Sequence, residues 1–440
     1  MRAAQWNLTR ALLGGLALGL VVLPGCASEP LAAPEPEDPA LLAWTEAHAQ
    51  AERYLEAKRF GLALDQVEHA VALASQLESG AIPVLLTDEL VHALSTRPRI
   101  GDPWVIDRYM ALFRSTASAE NAYVRGSLAM RIGLHHYHSS RIEAATRFNR
   151  TAVTALEAEP PAPREDLQPA SELYALSLAN LFLSLRREGK HQEAAGVGAD
   201  AISLKLRFMK SSDPSVLRTQ AVLGTTYAAM EQWERARELL ARSLPGLRGD
   251  PASAHSLPFW HYTHAMVLTT LGENSAADEE FSKSMAGIEA GLREDPGPTV
   301  QNLMVMTQGA LSAQRWTWAR RTLNLQLELY RSAKSGPKAL VLGRVWIQLA
   351  MVNGILGRTV EAEQQYQRAF QLLARLRGVK AREIRGSGMM LYSRLLAMTG
   401  RTLQATAAAQ QAEAMGASED DIPNALRPAL GLAEIDQTGD

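Results

Sequence analysis

The chain has 440 residues, 45 of them basic and 47 acidic, for a net charge of −2 at pH 7. That balance shows none of the basic excess a nucleic-acid-binding surface normally carries. The single cysteine excludes an internal disulfide framework and a cysteine-rich zinc site. Ala, Leu, Arg, Gln and Glu are abundant, Val and Ile are thin, and alternating apolar runs are hard to find, so the composition favours helices over a sheet.

The N-terminus carries Arg2 and Arg10, no acid through residue 25, and an uncharged apolar run from Ala11 to Leu23. The run is short and glycine-rich for a membrane span, which needs roughly 20 apolar residues, and it fits a secretory signal. It ends in Leu23-Pro24-Gly25-Cys26. This resembles the lipobox of bacterial lipoproteins, with an aliphatic residue, a small residue before the cut and the acylated cysteine. The resemblance implies that residues 1–25 are removed, that Cys26 is lipidated and that the chain is membrane-anchored. Ala27 stands where an aspartate would signal inner-membrane retention, which favours the outer membrane with the folded part facing the periplasm. Residues 26–40 then form the acylated cysteine and a Pro/Ala-rich tether with four acids, expected to be extended.

Beyond the tether the sequence repeats. "LGTTYAAMEQWERARELLARSL" (223–244) places Gly224, Tyr227, Trp233 and Ala236 at fixed offsets, and related patterns surround Ala63, Ala194, Ala277, Ala319, Ala362 and Ala405. A weaker copy fits with either Ala144 or Ala145. This pattern is similar to the tetratricopeptide repeat (TPR), a helix, a tight turn and a second helix crossing at small residues, with Gly224 and Ala236 as the small positions and Tyr227 and Trp233 as the large ones. From Ala194 onward the alanines stand 41 to 43 residues apart, longer than the usual period of about 34. The interval from Ala63 to the weak copy spans two periods, so a degenerate pair is expected there, with helices over 84–95 and 103–115. The prolines of Glu157–Ala170 predict a loop. The resemblance implies an all-α, right-handed TPR-like solenoid of about nine helix pairs over 41–416, with Gly416 ending the last helix. Residues 417–440 form a C-terminal cap and tail with one short lid helix.

In TPR proteins the first helices line a concave groove. Counting back from the crossing alanines, the family's groove positions fall on Arg186, Arg187, Arg218, Phe259, Tyr262, Met266, Met304, Gln308, Ile347, Met351, Met390 and Arg394, with Leu183, Gln301 and Arg344 beside them. Methionine repacks easily against varied partners, and aromatic and Arg side chains anchor interfaces. The same positions can instead be core, and the exposure of Met266, Met304 and Met351 decides between the two. His135, His136 and His138 read as polar helix-end residues. His261 and His264 sit one turn apart but coincide with packing positions, and no acid joins them at metal-site spacing. No catalytic, metal or cofactor motif appears. The expectation is a non-catalytic, lipid-anchored scaffold that binds protein subunits of a motility, pilus, secretion or envelope complex. The alternative is an α-solenoid that binds a small ligand or cell-wall glycan.

Overall fold

A computed structural model of the chain describes residues 39–74, 103–115, 122–158, 168–294, 296–332, 339–422 and 426–432. Among these residues the regular elements are all helical. They are α1 (Pro39–Glu56), α2 (Phe60–Ala74), α3 (Pro103–Ser115), α4 (Ala122–His138), α5 (Ile142–Ala158), α6 (Gln168–Arg187), α7 (His191–Lys205), α8 (Pro214–Ala229) and α9 (Trp233–Ser243). Then follow α10 (Leu257–Thr270), α11 (Asn274–Glu294), α12 (Pro296–Ser312), α13 (Trp316–Ser332), α14 (Ala339–Ile355), α15 (Thr359–Ala374), α16 (Val379–Met398) and α17 (Thr402–Glu413). Helices α1–α2 and α4–α5 through α16–α17 pack as antiparallel pairs, and each pair leans on the next. The fold is a TPR-like α-solenoid. The expected helix over 103–115 is α3, whereas its expected partner over 84–95 lies outside the described residues, as do Cys26 and most of the tether. Pro39 and Ala40, which the sequence places in the tether, are already helical. Likewise α6 begins at Gln168, inside the expected loop, with Pro169 at its second residue, where the missing N–H costs nothing.

Among the described residues one hinge is built eight times. Five residues before every crossing alanine stands a left-handed residue, Lys58, Ser140, Gly189, Glu231, Gly272, Gln314, Gly357 or Gly400, with φ between 55° and 82°. Its N–H donates to the carbonyl three residues back at 3.0–3.1 Å, and the next residue donates to the carbonyl five back at 2.8–3.0 Å. These paired bonds satisfy the orphan carbonyls of the first helix, and the chain re-enters helix two residues later. Four of the eight positions hold a residue with a Cβ, whose left-handed conformation costs about 1–2 kcal/mol. Glu231→Gly should therefore stabilise the protein by about 0.5 kcal/mol, net of glycine's greater freedom when unfolded. A urea midpoint that falls instead of rising would show that the Glu231 side chain itself stabilises the turn.

Past the hinge the two helices meet at the alanine. Ala63, Ala145, Ala194, Ala236, Ala277, Ala319 and Ala362 are fully buried and Ala405 nearly so. Ala145, not the half-buried Ala144, is the crossing residue of its pair. The first helix supplies glycines to the same seam. A Cβ added at Gly224 would lie 2.8 Å from Leu240 Cγ, and one at Gly343 would lie 2.6 Å from Leu373 Cδ2. Backbones approach closely because neither side carries bulk there.

Successive second helices are tied along the hinge edge by a repeating ion pair. The residue after one crossing alanine meets the residue four before the next: Arg237 with Glu273 (2.7 Å), Asp278 with Arg315, and Glu363 with Arg401 (2.5 Å). At the junction between Ala319 and Ala362 those positions hold Arg320 and Arg358, and Arg358 turns to Glu361 of its own helix instead. Exposed pairs of this kind contribute about 0.2–1 kcal/mol each, so the ladder fixes register more than it adds stability.

The C-terminal cap differs from the expected lid helix. Gly416 is left-handed (φ 86°) and ends α17 with the same pair of bonds as the hinges. The described residues that follow include the 3-10 turns Glu419–Asp421 and Pro428–Leu430. Ala417, Ile422 and Leu430 close over Met390, so short apolar contacts cover the last pair's open face.

Candidate groove on the first helices

The groove residues expected from the repeat register divide into two groups. Tyr262, Ile347, Met351 and Met390 are interior, which corrects their assignment to an open surface. Tyr262 donates its hydroxyl to Met306 O at 3.0 Å, bridging α10 to α12, and burial pushes its pKa up. Ile347 packs in the core between α14, α15 and α16, Met351 in the core that runs from α10 to α14, and Met390 beneath the C-terminal cap. These positions face the next pair, which covers them.

Phe259 and Met266 are half-buried and pack on neighbouring core. Arg218 holds Asp250 at 2.5 Å, and Asp250 also accepts from Ser253 Oγ at 2.6 Å. Arg394 is bound to Glu419 of the cap. Arg186 is half-buried, and burial lowers its pKa despite the nearby Tyr137. Arg187 is exposed, with its guanidinium 4.7 Å from the Tyr137 ring centroid and one N–H donated to Tyr137 O. These arginines serve contacts within the array.

Met304 and Gln308 remain open, with Met304 52% exposed. Val305 beside it is 50% exposed, and Gln301, Val341 and Arg344 are exposed on the same two first helices. The cause lies in the packing. Helices α12 and α14 approach each other less closely than α14 and α16 do, so the position that buries Tyr262, Ile347 and Met390 elsewhere leaves Met304 uncovered. Tyr330, from the second helix of the pair, donates toward Met304 Sδ at 3.9 Å and holds the side chain in place. Val305 escaped the sequence reading because it lies one residue outside the expected register rows, and Val341 because it lies three residues before the first of them, Arg344.

The histidines are more deeply placed than helix-end residues. His135 and His136 are both buried, and His136 stacks on Phe148 at 5.6 Å. Burial, then the neighbouring His135, Arg141 and Arg147, lower the His136 pKa. His261 and His264 are joined by an acid after all, from the partner helix: Glu280 Oε2 lies 2.7 Å from His261 Nδ1 and 3.3 Å from His264 Nδ1. Lys283 Nζ takes the other oxygen at 2.7 Å. The carboxylate occupies the point on which both imidazoles converge, so the group is a buried polar network. No set of three or more His, Cys, Asp or Glu among the described residues is placed to hold a metal. A second buried group gave no sequence signal. Lys205 ends α7 with its ammonium donating to Ser215 Oγ (2.9 Å), Thr219 Oγ1 (2.9 Å) and Ser215 O (3.2 Å). Burial and the nearby Arg218, opposed by Asp213, push its pKa down to about 8.

No protein-family model matches the chain, and no curated protein matches it. Solved structures resemble it as helix-pair arrays. The apo form of RapI is 11% identical, with a TM-score of 0.47 over 85% of this chain and 97% of that one. The apo form of the quorum sensor NprR from B. thuringiensis is 17% identical, with a TM-score of 0.46 over 84% and 94%. A tetratricopeptide repeat protein from Parabacteroides merdae is 14% identical, with a TM-score of 0.35 over 69% and 98%. No described helix is long and apolar enough to cross a membrane.

Proposed function

We propose that the protein is a non-catalytic, lipid-anchored scaffold that binds a protein partner in the opening between α12 and α14, at the outer membrane and on its periplasmic side. The observation that carries this reading is the uncovered pair Met304 and Val305 within an array that buries the positions equivalent to Met304 at Tyr262, Ile347 and Met390. Exposed apolar side chains rimmed by Gln301, Gln308 and Arg344 suit an amphipathic segment of a partner, apolar along one side and polar at its margins. An assembly factor for an envelope complex such as a pilus, motility or secretion machine has this requirement. The anchor is supported by the Leu23–Cys26 lipobox resemblance alone.

The test uses the full-length protein in its membranes. A photocrosslinker at position 304 should capture one defined partner, and the same group at the exposed Leu403 of α17 should not. Met304→Asp with Val305→Asp should abolish that capture while leaving the helical signal unchanged. Equal capture from both positions would defeat the docking site. Separately, Cys26→Ser should release the chain from the membrane fraction and remove the mass of the acyl groups, and an unchanged fractionation and mass would defeat the anchor.

A further inference from the structure

On the hinge edge three junctions pair their charges, Arg237–Glu273, Asp278–Arg315 and Glu363–Arg401, while Lys58, Arg59 and Arg141 are exposed there with no ion pair among the described residues. On the opposite edge, where a second helix connects to the next first helix, basic residues stand alone. Arg207 and Lys210 follow α7, Arg248 follows α9, Arg375 and Arg377 lie between α15 and α16, and Lys380 is the second residue of α16. All six are exposed and none forms an ion pair among the described residues.

Glu157, at the end of α5, is an exposed acid on this edge, but the acids nearest Arg207, Lys210 and Arg248 in the chain are already committed. Asp213 caps α8 by accepting from Ser215 N at 2.7 Å, and Asp250 is held by Arg218 and Ser253. The charge is densest over 375–385, where Arg375, Arg377, Lys380, Arg382 and Arg385 face a single acid, Glu383. Arg382 and Arg385 reach Ala414 O and Met415 Sδ rather than a carboxylate. An 11-residue stretch of a chain whose net charge is −2 thus holds five cations against one anion.

Apolar side chains are exposed among these cations. Val379 is 72% exposed between Arg377 and Lys380, and Leu206 is 42% exposed beside Arg207. Cations with interspersed exposed aliphatics match an interface of anionic headgroups over hydrocarbon, which attracts each basic side chain and accepts the apolar one below it. A compact acidic peptide offers no place for Val379, and a nucleic acid would meet net repulsion from the rest of the chain.

We infer that this connection edge, centred on Arg375, Arg377, Val379 and Lys380, docks onto an anionic phospholipid surface. The contact lies far along the sequence from Cys26 and does not depend on the acyl anchor or on the α12–α14 opening. It would lay the array along the membrane instead of leaving it on an extended tether.

The test measures partitioning of the full, unlipidated chain onto vesicles, with phosphatidylcholine vesicles as reference and phosphatidylglycerol–phosphatidylcholine vesicles as probe. The apolar N-terminal run binds both kinds, so the ratio of the two partition coefficients is read. The wild-type ratio should be large and should collapse with added salt. Arg375→Ser, Arg377→Ser and Lys380→Ser together should lower the anionic partition about a hundredfold. Arg375→Lys with Arg377→Lys should retain it, because a headgroup layer reads charge. Unchanged circular dichroism of each variant separates docking from folding. The inference is overturned if the wild-type ratio is near one, if the triple variant keeps the wild-type ratio, or if the Lys variants lose binding. The last result would mark a guanidinium-specific protein contact. Loss of crosslinking at position 304 would leave all these readings untouched.

Discussion

Gly309→Ala should be among the most damaging single-methyl additions in the array, costing about 2–4 kcal/mol. A Cβ at residue 309 would stand 2.2 Å from the Tyr262 hydroxyl and 3.2 Å from its Cζ. The ring cannot swing away, because Tyr262 is buried within the core running from α10 to α14 and its hydroxyl is bonded to Met306 O. Relief requires α10 and α12 to separate, which opens the seam between two repeats. Tyr262→Phe removes the clashing oxygen and one buried hydrogen bond, at a cost of about 1 kcal/mol by itself. The two changes should therefore be non-additive. The double variant should be more stable than the sum of the single effects by about 1–2 kcal/mol. In a repeat array the loss is borne first by the local interface, so hydrogen exchange in α10–α13 is the direct readout. Additive single effects would show that the array adjusts at Gly309 by some other route.

How much of this was legible in the sequence follows from which contacts have a residue signature. Crossing alanines do, because only a small side chain fits where backbones touch; their 41–43-residue spacing placed the second helices from α7 onward, and the double interval between Ala63 and Ala145 placed α3. The hinge is only half legible. Gly189, Gly272, Gly357 and Gly400 mark a left-handed position, but Lys58, Ser140, Glu231 and Gln314 occupy it with no distinguishing chemistry. The tight helical pairing on either side imposes the conformation on them.

The groove was least legible, for a geometric reason. Register says which side of a first helix a residue occupies, but exposure depends on how closely the next first helix stands. Tyr262, Met304, Ile347 and Met390 share one register position, yet only Met304 is open, because α14 approaches α12 less closely than α12 approaches α10 or α16 approaches α14. Helix-to-helix distance is set by side chains on several elements at once, among them Gly309 under Tyr262 and Gly388 against Ile347. No local pattern carries it. Glu280 was missed for a related reason. It belongs to a different helix from the histidines, and the offset between two antiparallel helices is fixed only when the hinge is known.

The same network gives the array its sharpest expected pH dependence. Glu280 is nearly buried. Burial alone would raise its pKa, but the hydrogen bond from His261, the nearby His264 and the Lys283 ammonium outweigh that and hold the carboxylate well below its usual range. A carboxylate whose pKa is depressed in the folded state contributes stability that is fully present above its unfolded value of about 4.5. That contribution is lost as pH falls from there toward the folded value. Glu280→Gln should therefore cost about 2–3 kcal/mol at pH 7, because it leaves His261 and Lys283 without their charged acceptor. The stability difference between the two proteins should narrow steadily below about pH 4.5, as the wild type loses what the variant never had. Glu279→Gln, one residue away and exposed, removes only a surface contact to Lys283 and should shift stability by less than about 1 kcal/mol at any pH. Urea midpoints across the acid range measure all three proteins. Parallel curves for the wild type and Glu280→Gln would show that the carboxylate gains nothing from its partners on folding. Convergence in acid would establish that the joint between α10 and α11 is held by charge.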